Sequence, residues 1–338
     1  ADLGRHWQLF TAGGEFYVPV APITPANIAA YRQTPFGASL IKPASIDGAT
    51  IYGQKTGKTI REFIFSYTEE AYVSNSLSVL SPSLINSPVS MAARHGSTDS
   101  DANYIYVANG DGTVSVMNTL REQEIAAWYG PWNTNASGKF KSVAVIGDNV
   151  YFLIERLINS ITVYYLEKLN GDRYTDCAIY QTYGSLTTVI TNLGPLEGQT
   201  VRVKADGSVM QSQVVAGGQI TIERGALAVE VGLGFNPTIT PMPPNAQLED
   251  GYIANKKRRI SRVTLNVENS LGLYVNGKQI HLHDEAEHTV TVDRTAWLDL
   301  SLGRIKRQAI ILPVDLSLEY KDQLKAPVRV YKKDKNDN

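Results

Sequence analysis

The chain has 338 residues, 43% hydrophobic and 19% charged, which excludes a disordered or collagen-like polymer and leaves room for two or three domains with real cores. Its 32 Lys and Arg against 33 Asp and Glu leave −1, so nothing chain-wide argues for nucleic acid or an anionic membrane. Split at Gly251, however, the first 250 residues carry 16 basic and 22 acidic side chains, and the last 88 carry 16 and 11.

A single cysteine, Cys177, excludes a disulfide framework and a Cys-rich zinc site. No apolar run approaches the roughly 18 residues of a membrane span. The start, Ala1-Asp-Leu-Gly-Arg-His6, has neither the pattern of a signal peptide nor an initiating methionine, so the chain reads as beginning inside a longer gene product. Apolar and polar residues alternate from end to end while helical spacing scarcely occurs, which predicts a nearly all-β fold.

In chain order, the first hairpin is Trp7-Gln-Leu-Phe-Thr11, turning at Gly13-Gly14 into Glu15-Phe-Tyr-Val18. The second pairs Ala49-Thr-Ile-Tyr52 with Lys58-Thr-Ile-Arg-Glu-Phe63. Between them Gly53-Gln-Lys-Thr-Gly-Lys58 is glycine-rich, but no helix follows, so it is not a phosphate loop. Glu69 and Glu70, in Tyr67-Thr-Glu-Glu-Ala-Tyr72, and Glu122 with Glu124 are carboxylate pairs of the kind glycoside hydrolysis needs, although their neighbours read as polar turns and strand edges. Residues 81–91, with two prolines and four serines, read as a connection between sheets.

The third hairpin, Asn103-Tyr-Ile-Tyr-Val-Ala-Asn109 with Gly112-Thr-Val-Ser-Val-Met-Asn118, turns through Gly110-Asp-Gly112, which supplies the positive φ angles of a tight turn. After it, Ala127-Trp-Tyr-Gly-Pro-Trp132 reads as a sheet edge and turn, with Trp128, Tyr129 and Trp132 as an alternative stacking platform for a glycan. The fourth hairpin joins Asn149-Val-Tyr-Phe-Leu-Ile-Glu155 to Ser160-Ile-Thr-Val-Tyr-Tyr-Leu-Glu167. Taking Phe10, Tyr52, Tyr106 and Phe152 as equivalent points gives spacings of 42, 54 and 46 residues, near the period of a four-stranded propeller blade. A β-sandwich, the other all-β arrangement, implies shorter and less regular spacing. Residues 1–187 are therefore expected as β-propeller-like blades, incomplete or open in this chain.

After Gly171 short strands with turns every few residues, including Asp206-Gly207, predict a small β-barrel inserted over 188–235. Four prolines between Asn236 and Asn245 mark a linker over 236–250. Strands over 251–331 rejoin the propeller body, and the charged tail 332–338 is expected to fray. The run Lys256, Lys257, Arg258, Arg259, extended by Arg262, is the one concentrated cationic feature, a solvated strand entrance or a contact for a DNA backbone or a neighbouring subunit. His281, His283 and His288, near Asp284, Glu285 and Glu287, could hold zinc, but Asn276-Gly277 before them favours a solvated hairpin rim. No Gly-x-Ser-x-Gly occurs, and Cys177 has no histidine near it in sequence, so it is expected as a buried strand thiol. No catalytic residue and no cofactor is assigned, and an enzyme is not expected.

A series of short words runs in order along the chain: Leu9-Phe-Thr-Ala-Gly-Gly-Glu15, Ile23-Thr-Pro-Ala-Asn27, Gln33-Thr-Pro-Phe-Gly37, Arg61-Glu-Phe-Ile-Phe-Ser-Tyr67 and Leu77-Ser-Val-Leu-Ser81. It continues with Arg121-Glu-Gln-Glu-Ile-Ala-Ala-Trp128, Phe140-Lys-Ser-Val-Ala-Val-Ile146, Val150-Tyr-Phe-Leu-Ile-Glu-Arg156, Tyr165-Leu-Glu-Lys-Leu169, Leu196-Glu-Gly-Gln-Thr-Val201 and Lys256-Lys-Arg-Arg-Ile-Ser-Arg-Val-Thr-Leu265. This order, from Leu9 to about Ser270, resembles the tail nozzle proteins of short-tailed bacteriophages, also called tail tubular protein B; beyond Leu271 the match fades. The insert resembles a small barrel similar to a domain of ubiquitin-activating enzymes. The resemblance implies a structural virion protein, assembled in the host cytoplasm into a homohexameric ring. Its partners would be an adaptor and other tail proteins, and double-stranded DNA would pass through its bore without a membrane contact. The acidic first part and basic last part are candidates for the two complementary faces of such a ring. A conduit should not grip DNA, so a mildly acidic or mixed lumen is expected.

Overall fold

A computed structural model of the chain describes residues 6–19, 23–97, 102–121, 125–135 and 137–235. Beyond these it describes the segments 238–239, 247–248, 251–252, 258–267, 273–280, 288–295, 300–302 and 315–322. The chain forms two compact units, Ala1–Leu169 with Gly194–Gln199, and Asn170–Leu193 with Thr200–Asn338. Among the described residues no helix is long and apolar enough to cross a membrane.

The first unit is a series of propeller-like blades. Blade 1 has strands β1 (Trp7–Thr11), β2 (Gly14–Val18) and β3 (Tyr31–Thr34). Blade 2 has β4 (Ala44–Ile46), β5 (Ala49–Gly53), β6 (Ile60–Ser66) and β7 (Ala71–Ser76). Blade 3 has β8 (Pro88–Arg94), β9 (Asn103–Asn109), β10 (Val114–Leu120) and β11 (Ile125–Trp132). Blade 4 has β12 (Lys139–Ile146), β13 (Asn149–Ile158) and β14 (Ile161–Lys168). Each sheet is an antiparallel meander whose neighbours in space are neighbours in sequence. The four hairpins read from alternation are β1 with β2, β5 with β6, β9 with β10, and β13 with β14.

Alternation gives each inner sheet two apolar faces, and consecutive blades close on one another through them. Phe10 and Tyr17 of blade 1 pack on Tyr52, Phe63 and Tyr72 of blade 2. Ile46, Ile51 and Ile60 meet Met91, Ile105, Val107 and Met117, and Tyr106, Val114 and Val116 meet Phe140, Val143, Phe152 and Ile154. Two pairs of the residues taken as equivalent touch across these seams, Phe10 with Tyr52 at 4.9 Å and Tyr106 with Phe152 at 6.0 Å between ring centroids. Burying each such side chain contributes roughly 1.5–3 kcal/mol, against about 0–1 for an exposed ion pair, so apolar packing holds the series together. Turn chemistry sets the register. Asp47 and Gly48, at φ 47° and 72°, make the two-residue turn between β4 and β5, and Asn159 and Ser160 adopt the same left-handed conformation between β13 and β14 without a glycine.

In the second unit, β15 (Asp176–Ile190), β16 (Thr200–Ala205), β17 (Ser208–Val214) and β18 (Ile220–Leu233) form one antiparallel sheet in the order β15-β18-β16-β17. Where the turn signals predict a small barrel, the structure has instead this open sheet, bent by bulges in the β15–β18 pairing, because β15 and β17 stay at its edges with no ladder joining them. β15 enters the sheet at Asp176, upstream of position 188, where it pairs with Leu233 of β18. Cys177, expected as a buried thiol, is half-buried at the first bulge, with φ 49°. Within the stretch read as a linker, Thr238–Ile239 pairs with Leu300–Leu302, and Gln247–Leu248 with Gly251–Tyr252. Strand Arg258–Val267 pairs on both sides, with His288–Thr295 and with Asp315–Asp322. The tail 332–338 lies outside the described residues.

Candidate functional site

Strand alternation decides the fate of the three aromatic residues of β11. Trp128 packs on the core between blades 2 and 3, its indole Nε1 donating to the Leu77 carbonyl at 2.8 Å. Tyr129 and Trp132 pack on the core between blades 3 and 4, 5.9 Å apart, and burial pushes the Tyr129 hydroxyl well above its ordinary range. The three residues are thus divided between two seams, because Trp128 and Tyr129 are successive and point to opposite faces.

Lys256 and Lys257 lie outside the described residues. On strand Arg258–Val267 the register sets Arg258 opposite Asp322, Arg259 opposite Lys321, and Arg262 between Asp293 and Glu319. His281 and His283 lie outside the described residues, and His288 begins a strand opposite Val267. Among the described residues no three His, Cys, Asp or Glu side chains cluster as metal ligands would. Glu69 and Glu70 are exposed on the turn between β6 and β7, while Glu122 and Glu124 fall outside the described residues. The glycine-rich stretch before Lys58 is a turn closed by the Gly57 amide on the Gln54 carbonyl.

Five charged residues are buried among the described residues, Glu15, Glu62, Arg156, Asp176 and Glu230, and three of them organise their surroundings. Arg156, 0% exposed on β13, donates from Nε and Nη2 to the two Glu167 oxygens at 2.7 and 2.9 Å, and from Nη1 to the Thr134 hydroxyl and the Asn135 carbonyl. Glu230, on β18, accepts through one oxygen from the Tyr174 and Thr175 amides and the Thr175 hydroxyl. Glu15, fully buried between blades 1 and 2, accepts from the Thr34 hydroxyl, and its other oxygen has no hydrogen-bond partner among the described residues. A signal existed for Arg156: Val150, Phe152, Ile154 and Ile158 point inward at every second position, and Arg156 falls in the same row.

Beside Glu15, the Tyr52 hydroxyl bonds to Ser74 Oγ at 2.8 Å, and burial, reinforced by the Glu15 charge, pushes it from 10.0 up to about 12. The fold therefore favours neutral Tyr52. Its contribution to stability is complete below the unfolded value near 10 and is lost as pH rises from there through about 12. Alkaline unfolding followed by tyrosinate absorbance is expected to show this late-titrating hydroxyl, and Tyr52→Phe to remove it; the same titration in the variant would refute the assignment.

Two exposed surfaces of the first unit are organised. The outer face of blade 4 sets Leu153 opposite Leu166, Glu155 opposite Tyr164 and Leu157 opposite Thr162. Leu153, Leu157, Tyr164 and Leu166 are 38, 44, 58 and 73% exposed. Across this face Lys141 Nζ pairs with Glu155 at 2.9 Å and the Tyr164 hydroxyl donates to the same carboxylate; these two bonds, Lys141 first, hold the Glu155 carboxyl below its ordinary range. The second surface is a run of aromatic rings that emerges from the seam between blades 1 and 2.

No family model matches the chain, and no curated protein does. Among solved structures it is similar to an exo-β-1,3-galactanase from Phanerochaete chrysosporium, in a variant bound to β-1,3-galactotriose and in a form with galactose. The identities are 12 and 13%, each with a TM-score of 0.29, over 91% of this chain and 73% of the other. A likeness this slight says nothing of activity.

Proposed function

We propose that the chain is a structural subunit of a ring, of the tail nozzle kind, through which a short-tailed bacteriophage ejects its DNA. The outer face of blade 4 carries this reading. Every other seam between consecutive blades is closed by apolar packing, and this face has the same alternation yet leaves Leu153, Leu157, Tyr164 and Leu166 in solvent. Exposed apolar strips of this sort mark interfaces. A rotationally symmetric ring requires such a face to meet a different face of the next copy, because its contacts are heterologous. The order of motifs from Leu9 to Ser270 supports the same reading.

On this proposal the protein resides in the virion, with further copies, an adaptor and other tail proteins as partners and DNA in transit. Lys256, Lys257, Arg258, Arg259 and Arg262 face a neighbour or close a sheet rather than line the bore. The register of Arg258 with Asp322, and of Arg262 with Asp293 and Glu319, supports the closing role, while Arg259 stands opposite Lys321 and does not.

Electron microscopy of the full-length gene product is expected to show six-fold rings. Leu153→Asp combined with Leu166→Asp should abolish them with little change in melting temperature, since both side chains already meet water. Rings in that variant, or a monomer at every concentration of the parent, would overturn the proposal. The alternative, a glycan-binding or glycan-degrading propeller of a phage tail, requires glycan binding or polysaccharide turnover, and measured turnover would overturn the non-enzymatic reading.

A further inference from the structure

The rings between blades 1 and 2 do not end at the core. From the buried stack of Phe63 on Tyr72, at 4.7 Å and 8°, one branch runs through Tyr17 to Tyr31, with centroid steps of 5.4 and 5.8 Å. The other runs through Phe65 to Tyr67 in steps of 5.3 and 5.2 Å. His6 lies against Tyr17, Phe65 and Tyr72 at 5.0 to 6.2 Å. Both branches surface: Tyr31 is 52% and Tyr67 79% exposed.

We infer that this surface binds a neutral oligosaccharide. Tyrosines anchored by packed rings behind them offer rigid, amphipathic contact at low entropic cost. Their faces suit the C–H side of a pyranose and their hydroxyls suit its polar edge. The exposed ends of the run are both tyrosines, not aliphatic side chains, which favours a sugar over an apolar protein surface. The turn that follows Tyr67 carries Glu69 and Glu70, both exposed. Their hydroxyl-accepting oxygens suit a neutral sugar, while their charge repels an anionic one. The inference is independent of the ring proposal, since the run lies on blades 1 and 2 and the ring proposal uses the outer face of blade 4.

Saturation-transfer NMR and titration calorimetry would use a panel of neutral hexasaccharides, including cellohexaose, maltohexaose and galactohexaose, beside a sulfated hexasaccharide and a decaproline peptide. A neutral hexasaccharide is expected to bind. Tyr31→Ala with Tyr67→Ala should weaken it by about tenfold or more at unchanged melting temperature, whereas Tyr67→Phe, which keeps the ring, should stay within about twofold. Should the double variant melt early, Tyr67→Ala alone, at the most exposed ring, carries the same expectation of weaker binding. Absence of binding across the neutral panel, or binding that these alanines leave unchanged, overturns the inference. Preferential capture of the sulfated sugar or of decaproline at the same rings also overturns it, and would assign the surface to an anionic glycan or to an extended proline-rich peptide.

Discussion

Arg156→Ala is expected to destabilise the first unit by about 3–5 kcal/mol, the loss typical of removing one partner of a buried ion pair. The guanidinium is fully buried and ties three pieces of chain together: its own strand β13, the neighbouring strand β14 through Glu167, and the connection from blade 3 to blade 4 through Thr134 and Asn135. Alanine would leave the Glu167 carboxylate, 17% exposed, without this charge partner and a void where the buried side chain stood. Urea unfolding measured by circular dichroism checks this, and a shift below about 1 kcal/mol would show that the pair contributes little. Arg156→Met combined with Glu167→Leu should recover much of the loss, because replacing both charges removes the uncompensated one.

The second large effect is expected at Glu230. One of its carboxylate oxygens accepts at 2.7, 3.0 and 2.9 Å from the Tyr174 amide, the Thr175 amide and the Thr175 hydroxyl, with Arg173 at 3.7 Å from the other. Glu230→Ala strands these donors at a buried position and is expected to cost about 3 kcal/mol, at roughly 1 kcal/mol or more for each unmet donor. Glu230→Gln keeps an acceptor oxygen in place and should lose about half as much. Hydrogen exchange of the Tyr174 and Thr175 amides provides the check, as both should exchange faster in the alanine variant. Equal loss in the two variants would show that packing rather than hydrogen bonding sets the cost.

Strands, turns and the repeat were legible because they depend on near neighbours in sequence. Alternation set the four hairpins, and Asp206-Gly207 and Asn276-Gly277 adopt left-handed turns, with φ of 47° and 81° and of 50° and 76°. The turn at Asn159 and Ser160 carried no such signal, since neither residue is a glycine. The candidate sites were less legible. Trp128, Tyr129 and Trp132 looked like one platform in a string of letters, yet the pleat sends Trp128 and Tyr129 to opposite seams. The aromatic run that does reach the surface draws on His6, Tyr17, Tyr31, Phe65, Tyr67 and Tyr72, which come from two different blades.

By itself, then, the sequence determined an all-β chain of meandering sheets with period-two faces, because side-chain alternation and turn conformation are set within a few residues. Only the tertiary structure decided which faces would find partners. Glu230 meets Thr175 across 55 positions and Arg156 meets Thr134 across 22, separations over which no local rule operates. The same holds for the outer face of blade 4: its alternation matches that of the closed seams, and only the folded arrangement shows that no described residue of the first unit covers Leu153 and Leu166.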